Sequence, residues 1–131
     1  MDRIQWCRPA EEVVCPKRLF PLSQAVVSVE PGLLLSDLVQ NLMARGYTLP
    51  SWPMLLDQTI GGAISTGSHG SSLHHGTIAD NVCGLVVVTF AGECVQIRNE
   101  GPLLAALKTG LGRIGEDSRT NPQITIFCLS G

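Results

Sequence analysis

The stretch Thr59-Ile60-Gly61-Gly62-Ala63-Ile64-Ser65-Thr66-Gly67-Ser68-His69-Gly70-Ser71-Ser72 limits what this chain can become more than any other. It has no long charged side chain and little bulk. Five of the 14 glycines lie between Gly61 and Gly76, and all three histidines lie between His69 and His75. Glycine admits positive φ and lets a ligand come close to the main chain. Successive N–H groups in such a bend can form an anion-binding concavity, and Ser and Thr add donors without bulk. The stretch is therefore expected to hold a phosphorylated or polar cofactor, with a flexible surface loop as the alternative on composition alone. A helical turn over residues 61–65 would aim backbone N–H groups at that ligand. Ile60, Ala63 and Ile64 would pack it from below.

Several familiar sites are excluded by spacing. No Gly-Lys-Ser/Thr follows, so this is not a Walker A loop. It is not G-x-G-x-x-G and opens no long amphipathic helix, which rules out the dinucleotide Rossmann fingerprint. Gly67-Ser68-His69-Gly70 has the wrong spacing for a nucleophile elbow. His69, His74 and His75 match no zinc spacing, and no cysteine or carboxylate sits suitably beside them, so no metal is expected. The five cysteines (Cys7, Cys15, Cys83, Cys94 and Cys128) form no C-x-x-C and are read as reduced, mostly buried thiols.

At 131 residues and 44% hydrophobic content the chain suits one modest folded unit. A formal charge of −2, with nine scattered Lys and Arg, gives no basic face for nucleic acid and no membrane-surface patch. No run approaches the roughly 20 apolar residues of a membrane helix. The start, Met1-Asp2-Arg3-Ile4-Gln5-Trp6, has no apolar core after its arginine and does not read as a signal peptide, leaving a cytoplasmic location by default. The mean hydropathy of +0.23 is high for so short a chain and points to surface that another part of a larger protein would cover.

In chain order, Met1 to Trp6 reads as a short strand, and residues 1–24 are otherwise irregular, broken at Arg8-Pro9 and Cys15-Pro16. Ala25 to Glu30 is a strand ending at Pro31-Gly32. A helix follows from Leu34 to Arg45, with Leu35, Leu38, Val39, Leu42 and Met43 as one apolar stripe. Asp37 and Arg45 complement its dipole, and Gly46 is its C′ stop. Residues 74–81 read as a polar loop. Gly84 to Phe90 is a strand buried on both faces, turning through Ala91-Gly92-Glu93 into a hairpin partner, Cys94 to Ile97. Pro102 to Thr109 is a short helix and Gln123 to Leu129 a final strand. Trp6 and Trp52 are read as packing residues.

These residues resemble a family. Leu49-Pro50, Gln58-Thr59-Ile60-Gly61-Gly62-Ala63-Ile64-Ser65-Thr66-Gly67-Ser68-His69-Gly70-Ser71, His75-Gly76-Thr77-Ile78 and Gly84 to Thr89 are similar to the sugar-lactone and alditol oxidases. That group includes the L-gulonolactone and D-arabinono-1,4-lactone oxidases, flavoproteins of the vanillyl-alcohol-oxidase, or PCMH, type. Thr-Gly-x-His-Gly after Thr-Ile-Gly-Gly is the specific part. The resemblance implies an α+β fold: part of a PCMH-type FAD-binding domain, a mixed sheet with short helices, truncated at both ends. It divides the chain into an irregular segment 1–24, a partial FAD-binding domain 25–115 and a divergent tail 116–131. It implies FAD as cofactor, with contacts at Thr59, Gly61, Gly62, Thr66, Gly67, Ser68, His69 and Gly70. It also implies oxidation of a small-molecule sugar lactone or polyol by hydride transfer to the flavin.

Two features depart from the family. Nothing before Ala25 resembles its Gly-His-Ser loop, which grips the pyrophosphate and often bears the flavin-linked histidine, so His69 is not given a covalent link. After Gly112-Arg113-Ile114-Gly115 the family has an apolar strand, where Glu116-Asp117-Ser118-Arg119 stands here. The substrate domain has no counterpart, and no residue is assigned a catalytic role. The rival readings are a non-catalytic fragment or interaction remnant and a phosphate- or nucleotide-binding module that takes no flavin. Substrate, acceptor and oligomeric state are not given by the sequence.

Overall fold

The computed structural model describes residues 3–7, 25–89, 91–98 and 101–110, and the backbone of 125–129. The elements run β1 (Ile4–Cys7), β2 (Ala25–Val29), α1 (Leu35–Met43), α2 (Ile60–Ser65), a 3-10 turn (Ile78–Asn81), β3 (Val82–Val88), β4 (Cys94–Arg98), α3 (Pro102–Leu107) and β5 (Thr125–Leu129). This is the α+β arrangement of strands and short helices that the resemblance implies. The expectations at Arg8-Pro9, Cys15-Pro16 and 111–124 lie outside the described residues.

The strands form one sheet in the order β1-β2-β5-β3-β4. Its four pairings are all antiparallel, so any parallel part of the expected mixed sheet is not among them. β5 lies between the two halves, with Val27 opposite Phe127 on one side and Leu85 opposite Thr125 on the other. Its register against β3 shifts between Val82 and Gly84, which leaves Cys83 as the extra residue of a bulge. The β3–β4 turn closes through Gly92 at φ 81, with the Thr89 N–H on the Glu93 carbonyl at 2.9 Å.

α1 forms because its apolar residues recur at helical spacing. Leu35, Leu38 and Leu42 are fully buried, each contributing roughly 1.5–3 kcal/mol by leaving water. Val39 is only half-buried and Met43 is 68% exposed, so the stripe is narrower than its five-residue pattern. The regular helix ends at Met43. The Gly46 N–H bonds the Met43 carbonyl and the Tyr47 N–H the Leu42 carbonyl, a Schellman closure with Gly46 at φ 77 as expected. Arg45 does not cap the last turn. Its guanidinium lies 4.4 Å from the Trp6 ring centroid, a cation–π contact that ties the end of α1 to β1.

The core joins Leu35, Leu38 and Leu42 to Val27 and Val29 of β2, Ile60, Ala63 and Ile64 of α2, Ile78, Val82 and Leu85. Trp6 and Trp52 pack against its rim. Cys83 is buried and Cys94 exposed, and neither is in a disulfide. Outside the core, Met54 is 93% and Leu73 96% exposed, which gives the high mean hydropathy a structural counterpart. Among the described residues, no helix is long and apolar enough to cross a membrane.

Candidate functional site

The small-residue stretch folds as α2 followed by a tight bend. Thr59 is the N-cap, its hydroxyl accepting the Gly62 N–H at 3.2 Å. The expected helical turn is therefore present, but its N–H groups do not face outward. Ile60 donates to the Leu33 carbonyl at 2.9 Å and Gly61 to the Pro31 carbonyl at 2.8 Å. In return, Leu35 and Ser36 at the start of α1 donate to the carbonyls of Gln58 and Leu56. The two helix N-termini thus cap each other through the main chain, around an antiparallel bridge between Leu34 and Thr59. The first-turn N–H groups of α2, expected to aim at a ligand, are instead bonded inside the fold.

The bend itself is over-determined. The Gly67 N–H bonds the Ile64 carbonyl, the Ser68 N–H the Ala63 carbonyl and the Ile78 N–H the Ser68 carbonyl. Gly67 has φ 66, where a β-carbon is strained. Gly70 lies so close to the Trp52 carbonyl and the Ser51 hydroxyl that no β-carbon fits without a shift. The hydroxyl protons also point inward. Thr66 Oγ1 donates to the Gly62 carbonyl at 2.9 Å, and Ser68 Oγ to Gln58 Oε1 at 2.9 Å. His69 is exposed, with Nδ1 2.9 Å from the Gly70 carbonyl.

All eight residues expected to contact the cofactor, Thr59, Gly61, Gly62, Thr66, Gly67, Ser68, His69 and Gly70, lie in this one helix-and-bend unit. Thr59, Gly62, Thr66 and His69 are exposed, while Gly61, Gly67, Ser68 and Gly70 are half-buried. His74 is exposed and His75 half-buried on the adjoining loop, where Ser72 Oγ accepts both of their N–H groups at 3.2 Å.

Sequence reasoning missed the surroundings of the bend. Residues 78–81 are a 3-10 turn and not loop. The Asp80 carboxylate starts it by accepting the Thr77 N–H at 2.7 Å and the Thr77 hydroxyl at 3.2 Å. The Thr-x-x-Asp spacing, a variant of the capping box, was the available signal. Gly67 faces the methyl groups of Thr109 and Thr77, and both threonines line a cleft of about 370 Å³ with Ala79, Asp80, Leu104 and Lys108. A cleft therefore runs beside the bend between the 3-10 turn and α3. Behind it, burial pushes the Cys83 thiol up to about 11 from 9.0, against a backbone hydrogen bond and Lys108, which pull it down. Cys83 is thus a protonated packing group, not a nucleophile.

These elements make an α+β unit: an antiparallel sheet bearing short helices, with a small-residue bend beside a cleft. The fold matches that of cholesterol oxidase from B. sterolicum at a TM-score of 0.70 and 18% identity, over 96% of this chain and 23% of that one. A solvent-stable cholesterol oxidase matches equally, with a TM-score of 0.70 and 17% identity over 96% and 23%. The FAD binding domain model matches residues 17–98, and the chain belongs to that family. It is 37% identical over 93 residues to D-arabinono-1,4-lactone oxidase of Eremothecium gossypii, covering 70% of this chain and 18% of the relative. It is 32% identical over 91 residues to L-gulonolactone oxidase of Scyliorhinus torazame, covering 68% and 21%. The chain thus spans only a small part of the relatives' length, and what it carries is a portion of an FAD-binding domain.

The residues of the bend fit a cofactor of this kind in part. Three polar side chains, Thr66, Ser68 and His69, stand on it, while Gly67 and Gly70 make room for Thr109, Thr77, Trp52 and Ser51 of the chain itself.

Proposed function

We propose that this chain supplies the FAD-binding portion, residues 25–115, of a flavin-dependent oxidoreductase acting on a sugar lactone or polyol. Bound FAD would supply the two-electron acceptor for oxidation of a carbinol C–H. The chain's own residues would bind and orient it. Thr59 fixes the start of α2, Gly61, Gly62, Gly67 and Gly70 let the helix and bend pack tightly enough to hold their shape beside the cofactor, and Thr66, Ser68 and His69 would make polar contacts. The lactone or polyol class rests on the names of the relatives, and its recognition would fall to parts of such an enzyme beyond this domain. The observation that carries the proposal is the bend at Gly67–Gly70: held by main-chain hydrogen bonds, built of small residues, and flanked at Gly67 by two threonines that line a cleft.

Titration of FAD with the purified chain tests it, read by quenching of flavin fluorescence and a shift of the visible band. Saturable uptake supports the proposal. A chain that is folded by circular dichroism yet leaves both signals unchanged at millimolar FAD overturns it.

A further inference from the structure

We infer that the cleft between β1 and α1 is a binding site for an extended, polyhydroxylated carboxylate. It shares no residue with the bend or with the cleft beside Gly67, so it stands apart from the flavin proposal.

The cleft measures about 430 Å³, within the range of roughly 300–1,000 Å³ usual for small-ligand sites. Arg3 and Trp6 line it from the strand. Asp37, Gln40 and Asn41, on one face of α1, line it from the helix, with Arg45 just past the helix end. Leu35, Leu38 and Leu42 turn the other face of α1 into the core.

The case for a ligand starts at Trp6. Its Nε1–H is buried and has no acceptor, whereas the other indole, Trp52, donates to Thr48 Oγ1 at 3.1 Å. A buried donor without a partner is a rare exception that calls for one. Arg45, 4.4 Å from the Trp6 ring centroid, carries donors only, and the Tyr47 ring packs at 5.5 Å without accepting. The cleft that Trp6 lines is where an acceptor can enter.

The lining residues say what kind of ligand brings it. The Arg45 guanidinium makes no ion pair among the described residues and stands at the Trp6 end. A guanidinium fork beside an indole N–H favours a carboxylate there. At the other end Arg3 is already paired with Glu30 at 2.9 Å, and Asp37 adds a negative charge. The cleft thus has no surplus of positive charge for a phosphate or polyanion. Asp37 and Arg45 are eight residues apart, roughly 12 Å along a helix, so a ligand reaching both is extended. The amides of Gln40 and Asn41 lie between them, and each both donates and accepts, which suits a row of hydroxyls. Asp37 accepts the last hydroxyl proton.

The test uses the full 15N-labelled chain, whose two indole N–H signals are assigned with Trp6→Phe. D-gluconate, 6-aminohexanoate, D-glucose and inorganic phosphate are added separately at equal ionic strength. Gluconate is expected to move the Trp6 signal saturably and leave Trp52 in place. Glucose lacks the carboxylate, phosphate the extended chain and 6-aminohexanoate the hydroxyls, so each should move the Trp6 signal far less. Arg45→Met keeps an unbranched stem over the indole without the guanidinium, and should weaken gluconate about tenfold or more, the loss of a charged hydrogen bond. Where Arg45→Met loses the fold, Asp37→Asn on the exposed helix face carries the test and should also weaken gluconate. A Trp6 signal that gluconate leaves unmoved at tens of millimolar overturns the inference. So does gluconate binding that neither variant weakens, or 6-aminohexanoate acting as strongly as gluconate. Phosphate acting as strongly would mean an adventitious ion only, and overturns it too. None of these outcomes bears on FAD at the bend.

Discussion

Gly61 donates its N–H to the carbonyl of Pro31 at 2.8 Å, so the second helix begins already capped by the turn that precedes the first. First-turn amides of a helix ordinarily exchange with solvent readily, because they have no intrahelical acceptor. Here the amides of Ile60, Gly61, Leu35 and Ser36 are bonded across the fold. They are expected to exchange at least tenfold more slowly than exposed loop amides such as those of Ser71 and Leu73. Hydrogen exchange followed by NMR checks this, and fast exchange at Gly61 would restore the anion cradle that its N–H could otherwise form.

Gly70 sits against the Trp52 carbonyl and Ser51 Oγ. Gly70→Ala forces main chain apart from main chain, and it should cost roughly 1–3 kcal/mol. Gly101, at φ −175 with nothing within 4 Å of a β-carbon, is the control, and Gly101→Ala should leave stability unchanged. Urea denaturation of the two variants distinguishes them.

The Asp80 carboxylate holds the start of the 3-10 turn through Thr77. Asp80→Ala removes that acceptor and should cost about 1 kcal/mol. Because Thr77 also flanks Gly67 and the cleft, the loss should appear as line broadening at Gly67 and Ser68 in the amide spectrum, in addition to the lower midpoint.

Cys83 holds its proton more tightly folded than unfolded. Below pH 9 both states keep it and stability is unaffected. As pH rises from 9.0 to about 11 the unfolded chain ionises first, so folded-state stability falls across that window. The difference between the parent chain and Cys83→Ala should shrink by up to about 2–3 kcal/mol over it. At pH 8, alkylation should mark the exposed Cys94 within minutes and Cys83 only after denaturant is added.

Within α1, Leu38→Ala should cost about 2–5 kcal/mol, since the residue is fully buried. Met43→Ala should stay within about 0.5 kcal/mol, because most of its side chain is in water. Equal costs would mean that the helix is rotated relative to the structure described here.

The contrast between those two residues shows what was legible in the sequence. Helical spacing marks the whole stripe Leu35–Met43, but which edge meets the sheet depends on the rotation of α1, and that is set by Val27, Val29 and Ile60, distant in the chain. Gly46 was readable as a stop because its positive φ is a local requirement. Arg45 was not, because its partner, Trp6, belongs to another strand. The small residues of the bend were readable, but the acceptors that take the first-turn N–H groups of α2 were not. Glycines announce available N–H groups, whereas the Pro31 carbonyl that takes the Gly61 N–H is fixed only by the fold. The family resemblance carried the cofactor; local pattern alone left a flexible loop as an alternative.

β5 runs between β2 and β3, and those two strands meet only through it. Two finished hairpins, β1–β2 and β3–β4, must therefore wait for residues 125–129 to emerge from the ribosome before one sheet exists. Until then each pair of strands carries an unsatisfied edge. Chaperone demand and aggregation during synthesis should consequently concentrate at β2 and β3, the two strands left waiting for their shared neighbour.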